Sequence, residues 1–379
     1  MTALEWGLPV VAKYLFGGLS LGAFVTYYLW QGFGLKTFRP LAKLAWISAA
    51  VWGLLIPIPI FSHLGQPGRW YTLLFDFHWT SPMSWAGPIL LAYLVVVLLN
   101  GRFFFYPDVV LAYRNAKGLR KKALRILLIT RPPQGPIPKA SQVGLKVTGA
   151  LAFVLVLSFG YTGLELGILS SRPLWANPIN PVMFLLTGLI SGMAFVVLLW
   201  IALDGRVEAP RAPGEKTILT SFALPALLAF FLGLNAVFYV SLAYSVPEVV
   251  QAVGVLATGE LAPMFLWVGL GLGALVPAVF LAANAVLRSP RRWMATLASG
   301  LILIGAFAQK YGFVVGGQVL AEVGGEVPSS LWPTSSGIIE FLSILALAYF
   351  LFQVALWISP WRAPKPAERE AAPAPEVTA

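Results

Sequence analysis

The chain has 379 residues, of which 58% are hydrophobic and only 11% charged, with a formal net charge of +11 and no cysteine. A mean hydropathy of +0.80 excludes an ordinary soluble enzyme, and the missing cysteine excludes thiolate-bound iron–sulfur clusters, cysteine-ligated zinc and disulfides. The basic excess reads as cytoplasmic loops facing anionic headgroups, not as a nucleic-acid footprint.

Apolar runs repeatedly reach the roughly 20 residues that cross a bilayer core. In sequence order, nine spans are predicted at about 8–31, 41–62, 82–101, 143–169, 179–203, 217–244, 262–287, 293–318 and 334–359. The short alternating segments of a β-barrel are absent. The first run follows no basic stretch and lacks a small-residue cleavage site, so it is read as a retained span and not a secretory signal.

Charge sorts the connecting segments. One set carries Lys36, Arg39, Arg102, Arg114, Lys117, Arg120, Lys121, Lys122, Arg125, Arg131, Lys139, Arg206, Arg211, Lys216, Arg288, Arg291 and Arg292; the other carries only Arg69 and Arg172. The positive-inside rule then puts the N-terminus outside and the C-terminus in the cytoplasm, across the cytoplasmic (inner) membrane. The segment from about 103 to 142 is a long basic cytoplasmic loop. Within it, Val109 to Leu128 is expected to form an amphipathic helix on the inner leaflet, before Pro132, Pro133, Pro136 and Pro138 break regular structure. Residues 363–379, rich in Ala, Pro and Glu, are predicted to be a disordered cytoplasmic tail.

An internal repeat is visible. Tyr14-Leu-Phe-Gly-Gly-Leu-Ser-Leu-Gly22 matches Phe184-Leu-Leu-Thr-Gly-Leu-Ile-Ser-Gly192, and more weakly Ser81-Pro-Met83 matches Ala262-Pro-Met264. The unit is four helices, and an even count sets both copies the same way up. The expected fold is therefore an all-α integral membrane protein: two parallel-repeat four-helix bundles plus one C-terminal helix. The divisions fall at 1–170, 171–320 and 321–362.

Charged groups in the spans are few and gather near the outer end. Lys13 lies near the start of span one, and His63, Asp76 and His78 lie between spans two and three. Tyr161 and Glu165 end span four, Lys310 is in the outer part of span eight, and Glu340 opens span nine. At about 1.5 Å per residue, most fall within roughly 15 Å of one interface. Tyr161 and Glu165 are i, i+4 and share a helix face with Ser158, while Gly160, Gly163 and Gly167 form a separate stripe for close packing. A phenol can hydrogen-bond a quinone carbonyl, and a carboxyl in a low dielectric can exchange a proton near neutral pH. The competing readings are a belt aromatic for Tyr161 and an ion pair with Lys13 or Lys310 for Glu165. Two histidines in one loop region cannot supply a transmembrane haem, and they read as structural groups more readily than as a metal site with Asp76. Trp70, Trp85 and Trp175 read as interface anchors.

At these residues the chain resembles the polysulfide reductase membrane-subunit, or NrfD-like, family. The resemblance rests on Gly17-Gly-Leu-Ser-Leu-Gly22, His63-Leu-Gly-Gln-Pro67 with Phe77-His-Trp-Thr-Ser-Pro-Met-Ser-Trp85, Tyr161-Thr-Gly with Arg172-Pro-Leu-Trp175-Ala-Asn-Pro178 and Gly188-Leu-Ile-Ser-Gly192, and Tyr311-Gly-Phe-Val-Val-Gly-Gly-Gln318. It implies a haem-free, metal-free anchor reactive with menaquinone or ubiquinone. Such an anchor exchanges electrons with an iron–sulfur partner subunit that serves a molybdopterin enzyme, a hydrogenase or a multihaem cytochrome. The family tyrosine that contacts quinone maps onto Tyr161. A family histidine of the first span is replaced by Lys13, and the ninth span goes beyond the eight-helix core.

The resulting expectation is a quinone site near the outer leaflet. Tyr161 holds the headgroup; Lys13, His63, His78, Asp76 and Glu165 are candidates for the second contact or for proton exchange. A proton path through Lys310, Glu340 and Asp204 is the transport alternative. A structural anchor without quinone chemistry is the other.

Overall fold

Apolar residues surround every long helix, so which face is buried is decided by helix–helix packing and not by an amphipathic stripe. The computed structural model describes residues 6–64, 66–129, 140–169, 171–172, 174–203, 221–245, 247–287, 290–319 and 331–362. Among these residues there is no strand, and nine helices are long and apolar enough to cross a bilayer. They are α1 (Leu8–Gln31), α2 (Lys36–Ser62), α3 (Pro82–Asn115), α4 (Gln142–Gly167), α5 (Asn180–Leu203), α6 (Ala223–Ala243), α7 (Pro263–Val286), α8 (Arg292–Gln318) and α9 (Ser335–Ile358). This is an all-α integral membrane fold.

Burial separates a centre from a periphery. The most apolar stretch of α1 is 78% buried and those of α2, α5 and α8 are each 67% buried, whereas α9 is only 17% buried. The peripheral helices turn Leu91, Val154, Phe230, Trp267 and Phe350 outward. Large exposed apolar side chains in this number are a liability in water and the correct solvent-facing surface in lipid.

The central contact is a glycine seam between α1 and α5. A Cβ on Gly18 would stand 2.9 Å from Gly188 Cα, and one on Gly22 would stand 2.7 Å from Gly192 Cα. The pairing 18 with 188 and 22 with 192 makes the two helices parallel. It is also reciprocal: a Cβ on Gly22 would meet the Leu189 carbonyl at 2.5 Å, and one on Gly192 would meet the Leu19 carbonyl at 2.6 Å. The two Gly-Leu-x-x-Gly segments thus face each other. Without side chains at these positions the backbones come close enough for dense van der Waals contact, which drives helix association in lipid.

Three helices depart from regular winding. In α2 the Pro57-Ile-Pro59 run removes two backbone donors, and the helix is interrupted at Ile56 before the short segment Pro57–His63. In α4 a tight 3₁₀ turn over Ser158–Gly160 precedes Tyr161–Gly167. In α7, Pro263–Leu275 is wound as a wide π-helix, where the Phe265 carbonyl accepts Gln309 Nε2–H at 3.1 Å.

The basic segment after span three differs from the sequence expectation. Helix α3 runs unbroken through Val109 to Asn115, and a separate helix spans Gly118–Leu128. The break falls at Ala116 and Lys117, both extended, and Gly118 opens the second helix with a φ of +59° that suits glycine. The second helix buries Leu124 and Leu128 and exposes Leu119 and Ile126, so its apolar surface is shared between protein and surroundings. The tail at 363–379 lies outside the described residues.

The seam makes a testable contrast. Gly22→Ala forces backbone apart and should destabilise the protein by at least the roughly 1–3 kcal/mol of an overpacked core. Gly233→Ala, where a Cβ meets open space, should be neutral or stabilising by up to ~1 kcal/mol. Thermal unfolding of the two variants in detergent checks the order.

Candidate functional site

The seam brings α1 beside α4, and the interruption of α2 opens space between them. A cavity of about 180 Å³ lies there, walled by α1, the broken end of α2, the first turns of α3 and the end of α4. Ile56, Pro59 and Ile60 of α2 and Leu90 of α3 form apolar walls, with Phe159 of α4. Lys13, Tyr14, Tyr161, Thr162 and Glu165 supply the polar lining.

The local sequence explains how these side chains arrive. Gly163 sits against the start of α5, where a Cβ would stand 2.6 Å from Pro181 Cα. That packing holds one side of α4 against α5, so the opposite side, with Tyr161 and Glu165 one helical turn apart, faces the cavity. Lys13 pairs with residue 165 while Gly17 lies beside Phe159, so α1 and α4 run antiparallel here.

Glu165 is the centre of the polar cluster. It is 1% exposed, and its Oε2 accepts Lys13 Nζ at 2.7 Å and the Tyr14 hydroxyl at 3.2 Å. Its other oxygen, Oε1, is buried and has no hydrogen-bond partner. Tyr161 lies within electrostatic reach of the same carboxylate. A buried carboxylate is tolerated only with a compensating charge and donors; Lys13 and Tyr14 provide them to one oxygen and leave the second available.

Sequence reasoning foresaw Lys13, Tyr161 and Glu165 in one site and left two partners open for Glu165; the structure pairs it with Lys13. It did not foresee Tyr14. The available signal was helical spacing, because Tyr14 and Gly18 are i, i+4 and Gly18 lies on the packed face of α1.

Other candidates lie elsewhere. Asp76 and His78 are exposed, with His78 Nδ1 3.8 Å from Asp76 Oδ1, and neither lines the cavity. His63 ends the short segment Pro57–His63, and its side chain lies outside the described residues. Ser158 donates its hydroxyl to the Leu155 carbonyl at 2.6 Å and does not line the cavity. Lys310 lines a second cavity on the far side of Tyr14 and Phe184. Glu340 in α9 keeps one buried carboxyl oxygen without a partner and lines neither cavity. Asp204 lies outside the described residues. Among the described residues, no group of three or more His, Asp or Glu side chains is placed to hold a metal ion.

Trp175 is a correction to the interface-anchor reading. It is 2% exposed, stacks on Trp6 with ring centroids 5.1 Å apart, and donates Nε1–H to the Phe313 carbonyl at 2.8 Å. Gln318 also ties this region together: its Nε2 donates to the Trp6 carbonyl at 2.8 Å and its carbonyl accepts Arg172 Nη1 at 3.2 Å. Arg172, Trp175 and Gln318 therefore latch the end of α8 to the α4–α5 connection and to the segment entering α1. A buried indole needs a hydrogen-bond acceptor, and the helix carbonyl supplies it.

Removing Lys13 should expose the cost of the buried carboxylate. Lys13→Met is expected to lower stability by about 3 kcal/mol, the scale for stranding one member of a buried pair. Adding Glu165→Gln to the same protein should recover most of that loss, as read by thermal unfolding in detergent.

Comparison with known proteins agrees with this architecture. Residues 1–322 match the family described as Polysulphide reductase, NrfD. The chain is 27% identical over 328 residues to Protein NrfD of Escherichia coli strain K12, covering 84% of this chain and 96% of that protein. It is 28% identical over 293 residues to one of the chains of the polysulfide reductase of Wolinella succinogenes, covering 72% and 82% respectively. It is 26% identical over 242 residues to one of the subunits of the selenate reductase of Mesobacillus selenatarsenatis, covering 61% of this protein and 54% of that one. The chain thus spans about half of the selenate reductase protein but nearly the whole of the Escherichia coli one. With the family match extending across both glycine segments and the whole polar cluster, this membrane protein belongs to the NrfD family of polysulphide reductase proteins.

Proposed function

We propose that the protein is the quinone-reactive membrane anchor of a multi-subunit oxidoreductase. Relatives named as parts of polysulfide and selenate reductases support membership in such a complex. The single observation that carries the quinone reading is the buried, unpartnered Glu165 Oε1 beside an apolar cavity. A cavity on the order of 150 Å³ takes up benzene, so about 180 Å³ suits one aromatic ring and is too small for a nucleotide.

A quinone, when bound, carries two electrons and two protons between its oxidised and reduced forms. Tyr161 donates its hydroxyl to a ring carbonyl oxygen and sets the orientation of the ring. Glu165 Oε1 accepts a proton from a quinol hydroxyl, or returns one to a quinone oxygen. Lys13 and Tyr14 hold Oε2 and so keep Oε1 aimed at its task. The aliphatic walls exclude water, which strengthens each of these polar contacts. Asp76 and His78, exposed on the segment joining α2 to α3, sit where a proton can pass to water.

The wider organisation follows the same reading. The charge bias of the loops supports an outward cavity end and a basic end, with Lys43 paired to Asp108 at 2.8 Å, on the cytoplasmic side of the inner membrane. The protein divides into a first bundle, a second bundle and the extra α9. An iron–sulfur subunit docks at the outer face and serves a molybdopterin enzyme or a multihaem cytochrome.

Two substitutions test the site in the complex purified through this protein, with co-purification confirming assembly. Tyr161→Phe should lower quinol turnover about tenfold, the scale of one hydrogen bond. Glu165→Gln should lower it about a hundredfold or more, the scale of a positioned proton acceptor. Wild-type turnover in both variants would refute the site.

A further inference from the structure

The second half of the molecule holds a counterpart of the cavity just described. In α1 the lining positions are Val10, Lys13, Tyr14 and Gly17; in α5 a second cavity is lined by Asn180, Met183, Phe184 and Thr187. These are the same four places under the offset that carries Gly18 onto Gly188. The second cavity is only about 30 Å³, and Lys310 of α8 is among the residues that line it.

Lys310 is 5% exposed. Among the described residues its ammonium has no ion pair and no hydrogen bond; it rests 3.3 Å from the centroid of the Phe184 ring. Phe184 meets Tyr14 edge to face with centroids 5.2 Å apart, and Tyr14 donates to Glu165. A third cavity of about 10 Å³ lies between the two larger ones. It shares Tyr14, Gly17, Phe159 and Thr162 with the first cavity and Phe184 with the second. Three spaces therefore follow one another from Glu165 to Lys310 across the glycine seam.

The chemistry of the second cavity selects its occupant. Gln309 Nε2 is engaged by the Phe265 carbonyl, Asn180 Nδ2 by the Trp175 carbonyl and the Thr187 hydroxyl by the Met183 carbonyl. With a donor of each spent, the oxygens of these side chains remain as acceptors. Acceptors beside an amine suit water and an ammonium, and disfavour an anion. A water needs roughly 10–15 Å³ and two to four polar partners, so about 30 Å³ admits one or two. A lysine amine, unlike a guanidinium, can release its proton when buried.

We propose that Lys310, with buried water in its cavity, is a proton-holding site that serves Glu165 across the α1–α5 seam. The inference rests on the quinone reading of the first cavity. A proton taken by Glu165 Oε1 leaves the carboxyl, which returns to carboxylate, and is bound by the Lys310 amine, which becomes ammonium; the reverse transfer supplies a proton when quinone is reduced. The Phe184 ring stands between the middle cavity and the amine, so exchange waits on its rotation.

The test uses the intact complex, a water-soluble benzoquinol analogue as probe, and the variants Lys310→Gln and Lys310→Arg. Both should assemble and bind the analogue as wild type does. Both should turn over at least tenfold more slowly with a larger solvent deuterium isotope effect, because neither an amide nor a guanidinium can exchange a proton in this way. A wild-type rate in Lys310→Arg would show that a fixed charge suffices and would overturn the proposal; so would a wild-type rate and isotope effect in Lys310→Gln. If the larger arginine prevents assembly, recovery of the Lys310→Gln loss by the titratable Lys310→His decides the matter, and no recovery overturns it. A wild-type complex that binds no analogue removes the quinone reading and this inference together, whereas normal quinol chemistry in every Lys310 variant removes this inference alone.

Discussion

Two helices that share no loop, α1 and α5, approach until backbone meets backbone, and the rest of the helix array is arranged around them. Gly18, Gly22, Gly188 and Gly192 make that approach possible. In lipid there is no hydrophobic force to push helices together, so dense contact between backbones has to supply the association. Once the seam is set, α4 is carried against α1 by Gly163 and Pro181, and α8 is carried against α5. A cavity then lies on each side of the seam.

The buried Lys13–Glu165 pair shows why polar groups persist in so apolar a protein. An ion pair at this depth contributes little net stability, since the carboxylate has left water and the ammonium has largely done so. Its effect is positional: it engages one carboxylate oxygen and leaves the other without a partner. The interruptions in α2 and α4 lie beside the same pair. Proline at 57 and 59 opens the wall, and the tight turn at Ser158–Gly160 sets the facing of Tyr161. These local irregularities sit at the cavity, whereas most of the remaining winding is regular, as is common where backbone departures serve a site.

Some motifs that resemble a functional signature have a packing explanation. Arg172, Trp175 and Gln318 do not reach the cavity; they fasten α8 to the α4–α5 connection and to the start of α1. A polar side chain inside a membrane protein must find a partner, and satisfying a helix end or a buried indole is as demanding as binding a ligand. Motif residues therefore divide between those that touch the cavity and those that hold its frame.

The sequence by itself determined the fold class, the nine spans that appear among the described residues and the positions of the polar intrusions, because hydropathy and charge are summed over long windows and tolerate errors at the ends. It also brought Lys13, Tyr161 and Glu165 together as candidates, through helical spacing and family resemblance. Only the tertiary structure decided that Glu165 pairs with Lys13 and Tyr14 and keeps Oε1 unpartnered, that Asp76 and His78 stay on the surface, that Trp175 is buried, and that Lys310 faces the Phe184 ring. Those outcomes depend on the rotation of each helix about its axis. In a helix apolar on all sides, no stripe in the sequence reports that rotation; it is set by which glycines meet across the seam.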